Sequence, residues 1–124
     1  MVVMGVEKPA DINRAFADAF NSRDPDGFLA LYAMDGMVVN PDGSVAAGHA
    51  DIAVHIDQLL QLGGTMTSTN EYAFINGDVA LVGARFVIEF DDGRAAVTGR
   101  TAEVLVRQDD RWVYWIDHPF ALPG

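Results

Sequence analysis

The second half of the chain consists of four long segments with strand-like alternation, separated by short turn sequences. The segments span residues 65–76, 78–91, 94–108 and 111–121. The turns between them are Asn76-Gly77, Asp92-Gly93 and Asp109-Asp110. Asn-Gly and Asp-Gly between alternating apolar residues are strong hairpin signals. The pattern therefore predicts an antiparallel meander, in which each strand pairs with the next.

The first half of the chain has helical periodicity instead. An apolar stripe with i, i+3, i+4 spacing runs through residues 9–22 and consists of Ile12, Ala15, Phe16, Ala19 and Phe20. Asp24 followed by Pro25 is typical of a helix cap and first turn, so a short second helix is predicted to continue to Tyr32. The sequence Met-Asp-Gly at 34–36 is predicted to end this helix.

A small hairpin is predicted next, because short apolar segments flank Pro-Asp-Gly at 41–43. A third helix is predicted to follow Gly48 and to end at Gly63-Gly64. Helices followed by a long meander predict an α+β domain, with the helices on one face of a curved antiparallel sheet. At 124 residues, half of them apolar, the chain is expected to form one domain over residues 1–124.

The order of these elements resembles a known superfamily. After the first helix come "RDPDGFLALYAMDGMVVNPDGS", "GHADIAVHI" and a closing "RWVYWIDH". This order looks like the nuclear transport factor two-like superfamily, particularly its SnoaL-like and ketosteroid-isomerase-like branch. The resemblance implies a cone-shaped, cystatin-like α+β barrel, in which the sheet wraps around the N-terminal helices. It also implies a pocket between helices and sheet, and assembly as a homodimer.

Two ionisable residues are predicted to share the helix-facing side of the sheet. A turn at Asp92-Gly93 places Val82 opposite Glu103, and a turn at Asp109-Asp110 places Thr101 opposite His118. Glu103 and His118 are then diagonal neighbours on adjacent strands. A carboxyl group in an apolar pocket has a raised pKa, and an imidazole exchanges protons near neutrality. The pair therefore suits acid–base chemistry on a small molecule, although it is equally consistent with two groups that only satisfy each other in the core.

The resemblance to isomerases extends to some site positions and fails at others. The acidic residue that donates a hydrogen bond to the substrate oxyanion in these enzymes falls on Glu103. The position of their general base, an aspartate before proline, is occupied by Asn40, and the position of their tyrosine by Phe16. An asparagine side chain does not act as a base, so the usual ketosteroid isomerase set is incomplete. Asn40 is either a ligand-orienting amide or a turn residue that bonds its own backbone.

Further residues complete the predicted ligand pocket. Phe86 and Thr101 face the helices in the predicted register, and Trp112 and Tyr114 are either pocket-lining or core residues. Asp51 and His55 lie one helical turn apart, but two ligands without a third make a poor metal site, and exposed polar residues are the favoured interpretation. No metal and no cofactor are implied, because nucleotide-binding glycine motifs and cysteines are both lacking.

The opposite face of the sheet is predicted to be unusually apolar. Arg85 and Arg100 oppose each other there, with Asp117 and Glu89 expected to neutralise them. Around them lie Val79, Leu81, Val87, Thr98, Ala102, Val104, Val106, Val113 and Trp115. A contiguous apolar face of this extent indicates an interface. A second copy of the chain is the expected partner, with Arg85, Val104 and Trp115 at the contact.

The net charge of −10 repels phosphate backbones and anionic lipids, which argues against nucleic-acid and membrane-surface partners. The first residues lack the pattern of a secretion signal, so a cytoplasmic location is expected. The leading hypothesis is a homodimeric protein that binds a small, largely apolar organic molecule and performs isomerase-, cyclase- or lyase-type acid–base chemistry on it. The alternative is a noncatalytic ligand-binding or dimerisation module. A cavity of about 300 Å³ or more would favour the first hypothesis, and a filled cone the second.

Overall fold

The structure is a computed structural model that describes residues 3–124. A short 3₁₀ turn at Pro9–Asp11 leads into α1 (Ile12–Asn21), which is followed by α2 (Pro25–Leu29) and, later, α3 (Gly48–Leu62). The strands are β1 (Tyr32–Val39), β2 (Val45–Ala47), β3 (Thr65–Asn76), β4 (Val79–Glu89), β5 (Val97–Gln108) and β6 (Arg111–Leu122). The α+β class predicted from the sequence is therefore confirmed.

One six-stranded sheet carries the fold, with the strand order β2-β1-β6-β5-β4-β3. The last four strands form the predicted antiparallel meander, and β1 joins it by pairing parallel to β6. Two fully buried aromatic residues on the sheet, Tyr32 and Tyr114, pack with their ring centroids 4.9 Å apart. The core lies between this face of the sheet and the helices, since Ile12, Phe20 and Ile56 are also almost completely buried.

Local sequence signals position the helices as expected. The carboxylate of Asp24 accepts a hydrogen bond from the backbone N–H of Gly27, which caps α2. The side chain of Asn21 at the end of α1 both donates to and accepts from the backbone of Met66 on β3. These two hydrogen bonds fix the end of α1 against the sheet, and so fix the inward face of α1 above it.

The prediction for residues 31–36 is wrong. The helix ends before Tyr32, and Met-Asp-Gly lies inside β1, where the pairing with β6 is interrupted between Tyr32 and Met37. At Gly36 an added Cβ would lie 3.0 Å from the carbonyl oxygen of Tyr114. The glycine therefore permits a close approach of two strand backbones, and it does not end a helix.

A β-bulge in β6 changes which side chains face the helices. Leu105 pairs with Tyr114, but the next residue of β5, Val104, pairs with Ile116, so that Trp115 is an extra residue. After this bulge Asp117 faces the helices and His118 faces the opposite side, which reverses the prediction for both residues. Glu103 consequently pairs with Asp117, whereas the register predicted from the Asp109-Asp110 turn implies Ile116.

Candidate functional site

The inward faces of β4, β5 and β6 form the floor of a cavity that α1 and α3 cover. The cavity has a volume of about 90 Å³. Seven polar residues line it, and four of them, Asn13, Thr101, Glu103 and Asp117, form a cluster around Glu103. Most of the remaining wall is apolar and includes Phe16, Leu59, Met66, Phe86, Ile88 and Phe120. The cluster around Glu103 is the polar end of a cavity whose remaining wall is mainly apolar, apart from Asn40, His55 and Ser68.

Glu103 is the centre of the polar end and is only 1% exposed. Its Oε1 accepts a hydrogen bond from the amide nitrogen of Asn13 at 3.0 Å and another from the hydroxyl of Thr101 at 2.7 Å. The Thr101 hydroxyl itself accepts from the backbone N–H of Ala84, which fixes its orientation. The oxygen of Asn13 accepts from the hydroxyl of Tyr114 at 2.6 Å. Glu103 is thus held by groups from α1 and from its own strand.

Asp117 lies beside Glu103 on the neighbouring strand and is 2% exposed. The hydroxyl of Tyr32 donates a hydrogen bond to its Oδ2 at 2.6 Å. The two carboxyl groups also hydrogen-bond to each other, with Glu103 donating to Asp117. Two carboxyl groups in contact cannot bond in this way unless one of them carries a proton.

Burial is the main reason why both carboxyl groups hold protons more tightly than usual. It raises the pKa of Glu103 well above its ordinary range, and the adjacent charge of Asp117 raises the Glu103 pKa further. Burial also raises the pKa of Asp117, to about 6, against the effect of its hydrogen bonds from Tyr32 and Glu103. Glu103 therefore keeps its proton to a higher pH than Asp117 does, which makes the pair an acid beside a base.

The structure places several predicted pocket residues around this cavity. Phe16, Asn40, Phe86 and Thr101 all line it, together with Glu103. The ring of Phe16 packs edge-to-face against the ring of Phe28, with centroids 4.4 Å apart. Asn40 lies at the margin, where its amide nitrogen donates to the hydroxyl of Ser44 and its backbone N–H to the Ser44 carbonyl. The turn interpretation of Asn40 therefore coexists with its position beside the cavity.

Three predicted site residues do not line the cavity. His118 pairs with Ala102 on the other face of the sheet, because the bulge at Trp115 reverses the alternation. Trp112 is buried near the N-terminal segment, where its backbone exchanges hydrogen bonds with Val6. Tyr114 is completely buried behind Asn13 and reaches the site only through its hydroxyl. The predicted Glu103–His118 pair is replaced in the structure by the pair of Glu103 with Asp117.

Sequence reasoning missed three residues of the site. Asp117 was assigned to the outer face, and only knowledge of the bulge would have moved it inward. Asn13 lies three residues before Phe16 on the apolar stripe of α1, a spacing that could have identified it as an inward polar group. His55, interpreted as an exposed residue, lines the cavity, and burial lowers its pKa.

The outer face of the sheet also differs in detail from the prediction. Arg85 and Arg100 oppose each other as predicted, but Glu71 forms ion pairs with both, at 3.5 Å in each case. Asp117 cannot contribute there because it points inward, and no such pair involves Glu89 among residues 3–124. The face remains apolar, since Val79, Leu81 and Trp115 are each more than two-fifths exposed.

No helix within residues 3–124 is long and apolar enough to cross a membrane. Over the same residues, no group of three or more histidine, aspartate or glutamate side chains is arranged to hold a metal ion.

Solved structures with the same fold are numerous. One, from Thiobacillus denitrificans and named for the association domain of calcium/calmodulin-dependent protein kinase type II, has a TM-score of 0.80 at 19% identity, covering 98% of this chain and 99% of that one. An NTF-2 like protein from Shewanella oneidensis has a TM-score of 0.75 at 19% identity, covering 87% and 92%. A ketosteroid isomerase-like protein from Erwinia carotovora atroseptica has a TM-score of 0.71 at 18% identity, covering 86% and 88%. At these identities the likeness shows the fold alone.

The family is assigned from the sequence. No curated protein matches the chain. The family model of the SnoaL-like domain matches residues 13–115, which include all of α1 except Ile12 and every residue of the polar network except Asp117. Since this match covers well over half of its length, the chain belongs to the family of SnoaL-like domains.

Proposed function

We propose that the chain binds a small, largely apolar organic molecule in the cavity, and that the Glu103–Asp117 pair performs acid–base chemistry on a polar group of that molecule. The observation that carries this proposal is the pair itself, which places a proton donor and a carboxylate in contact at the polar end of an apolar space. Neighbouring buried groups whose environments give them different pKa values are typical of acid–base sites.

A carbonyl or hydroxyl group is the ligand feature that best fits the polar end. The proton of Glu103 can be shared with a carbonyl oxygen, while the carboxylate of Asp117 can accept a proton from a hydroxyl or from an adjacent carbon. Both carboxyl groups are held by fixed donors, Asn13 and Thr101 on one side and Tyr32 on the other. Little reorganisation is then required when the ligand arrives.

Two observations favour the noncatalytic alternative. The hydrogen bonds within the network already satisfy Oε1 of Glu103 and Oδ2 of Asp117, as a purely structural cluster would. The cavity volume of about 90 Å³ is also below the volume of about 300 Å³ or more that is typical of a ligand site. An experiment must therefore separate binding from chemistry.

Deuterium exchange into butan-2-one provides that separation. We expect the wild-type protein to bind this ketone, to shift the amide NMR signals of Asn13 and Glu103, and to accelerate exchange of the protons next to its carbonyl. Glu103→Gln removes the transferable proton and is expected to slow the exchange on the order of tenfold or more. Glu89→Gln, which changes an exposed glutamate on β4, is the matched control and should exchange at the wild-type rate.

The outcomes distinguish a catalytic protein from a noncatalytic ligand-binding module. Binding without accelerated exchange would contradict the catalytic proposal and support the noncatalytic module. Equal exchange by wild type and Glu103→Gln would show that Glu103 takes no part in the chemistry. No signal changes at cavity residues would contradict ligand binding in this cavity altogether.

We also propose that the outer face of the sheet joins two copies of the chain. Val79, Leu81 and Trp115 present exposed apolar side chains there on adjacent strands, and Val104 lies between them. Exposed apolar surface on neighbouring strands is typical of an interface. Arg85 and Arg100, paired with Glu71, supply a charged rim to the same face.

We expect Trp115→Glu to convert the dimer to monomers, because each copy would bury a carboxylate in an apolar contact. Analytical ultracentrifugation at micromolar concentration measures this directly. Val54→Glu is the control, since Val54 is 58% exposed on α3, which packs on the other face of the sheet. A wild type that sediments as a monomer would overturn the proposal.

A further inference from the structure

The cavity is too small to enclose most organic molecules. An apolar cavity of about 150 Å³ is known to hold benzene, whereas this one measures about 90 Å³. A larger ligand must therefore extend beyond it. The side on which it can do so is marked by Asn40 and His55, because both residues line the cavity and a neighbouring surface groove.

The groove lies between α3 and the β1–β2 hairpin and has a volume of about 270 Å³. Its apolar side chains are Val45, Ala46 and Val54, and its other polar ones are Asp51 and Gln58. Among residues 3–124, no lysine or arginine lines the groove, and the one carboxylate in its lining is that of Asp51, one helical turn before His55. The surface therefore favours neutral or positively charged groups over anions.

His55 lines both the cavity and the groove. Burial lowers the pKa of its imidazole, so the ring is neutral at physiological pH. Within the described part of the chain, no hydrogen-bond partner is found for either ring nitrogen, whereas His49 on the same helix contacts the carbonyl oxygen of Tyr32. A neutral imidazole offers one donor and one acceptor. Both are free to meet a ligand at this point.

We propose that the groove is a second subsite of the ligand site, with His55 as the hydrogen-bonding residue between the two parts. The ligand class is an elongated, mainly apolar molecule with a carbonyl or hydroxyl group at its inner end. Its outer end carries a second polar group, neutral or cationic, that lies against Asp51 and Gln58. This inference rests on the proposed function, since it requires the inner end to occupy the cavity.

Four probes test the two subsites separately. Butan-2-one fills only the inner part, whereas octane-1,8-diol, 8-aminooctan-1-ol and 8-hydroxyoctanoate also reach the groove. We expect the diol and the amine to bind at least about tenfold more tightly than butan-2-one, because more methylene groups are buried. The anionic 8-hydroxyoctanoate should bind about two- to fivefold more weakly than the amine, as expected for one partly exposed charge pair. Dissociation constants from NMR titration give these ratios.

Paired variants assign the effect to residues. Asp51→Asn should abolish the preference for the amine, while Asp57→Asn, which changes an exposed aspartate on the same helix outside the groove, should preserve it. His55→Leu should weaken the diol about three- to tenfold more than it weakens butan-2-one, since only the longer probe loses a hydrogen bond to His55. His55→Gln restores a donor and an acceptor and should recover part of the affinity, which separates hydrogen bonding from packing.

The possible failures are distinguishable. If butan-2-one binds in the cavity but the longer probes bind no more tightly, the second subsite is wrong while the proposed function stands. Equal effects of Asp51→Asn and Asp57→Asn would contradict the role of the groove in selecting charge. If butan-2-one does not bind at all, the proposed function fails first.

Discussion

Replacement of Glu103 by alanine is expected to lower the free energy of unfolding by about 3 kcal/mol or more at pH 7. The substitution removes a carboxyl group that is 1% exposed and leaves a void beside the cavity. It also deprives Asn13 and Thr101 of their shared acceptor, and Asp117 of a donor. Buried polar groups without partners add to the loss of packing.

Replacement of Glu103 by glutamine is expected to cost less than about 1 kcal/mol. The amide oxygen can accept from Asn13 and Thr101, and the amide nitrogen can donate to Asp117, as the protonated carboxyl does. Urea unfolding of both variants and of the exposed control Glu89→Gln measures the difference. If glutamine costs as much as alanine, Glu103 does not donate to Asp117.

The same pair predicts the sign of the pH dependence. Folding raises the pKa of both carboxyl groups, to about 6 for Asp117, so the folded chain binds more protons than the unfolded one above pH 4. Their contribution to stability is complete below the unfolded pKa values and is lost as the pH rises through the folded ones. For Asp117 this window runs from about pH 4 to about pH 6, and for Glu103 it extends higher.

Glutamine at position 103 does not titrate. Compared with the wild type, Glu103→Gln should therefore gain stability as the pH rises from 5 to 8, by at most about 1.4 kcal/mol per pH unit. The measured quantity is the difference between the unfolding free energies of the two proteins at each pH. The repulsion within a chain of net charge −10 affects both proteins alike, so it cancels in this difference. A difference that is constant over this pH range would show that the pKa of Glu103 is not raised.

Local sequence signals were sufficient for most of the fold. Asp24 and Pro25 correctly predicted the start of α2, and the turn at Asp92-Gly93 correctly placed Val82 opposite Glu103. These features depend on a few neighbouring residues, whose preferred backbone conformations are strong. The inward position of Glu103 followed from them.

The partner of Glu103 could not be predicted in the same way. A β-bulge depends on how a strand fits both of its neighbours, and β6 must pair with β5 on one side and with the irregular β1 on the other. Nothing in the alternation near Trp115 indicates the extra residue. Because of this one extra residue, Asp117 faces inward in place of His118, and the acid–base pair differs from the expected one.

The position of His55 depended on tertiary packing. Its helix carries apolar residues on a broad stripe, with Ile52 and Ile56 buried, and His55 lies at the edge of that stripe. Whether an edge position meets solvent or a cavity is decided by the hairpin that packs beside the helix. Sequence periodicity alone has no information about that neighbour.

The double variant Asn40→Asp with Phe16→Tyr is expected to isomerise pent-4-en-2-one to its conjugated form about 10²–10⁴ times faster than the wild type. Isomerisation requires a base that removes a proton next to the carbonyl, and donors that hold the resulting enolate. Asn40 and Phe16 both line the cavity, so the new carboxylate and hydroxyl would face the space that Glu103 reaches. Asp117 is a weaker substitute for that base in the wild type, because Tyr32 and Glu103 both hydrogen-bond to it.

Ultraviolet absorbance of the conjugated ketone measures the rate, and thermal unfolding checks that each variant is folded. Asn40→Asp alone should give most of the gain, while Asn76→Asp, which adds a carboxylate in a distant exposed turn, should give none. A β,γ-unsaturated steroid should likewise not react rapidly with the wild type, because Asn40 and Phe16 stand where the base and the hydroxyl donor are required. Rapid isomerisation of either substrate by the wild type would contradict this prediction. It would show that Asp117 or another group already acts as an efficient base and replaces the base that is missing at position 40.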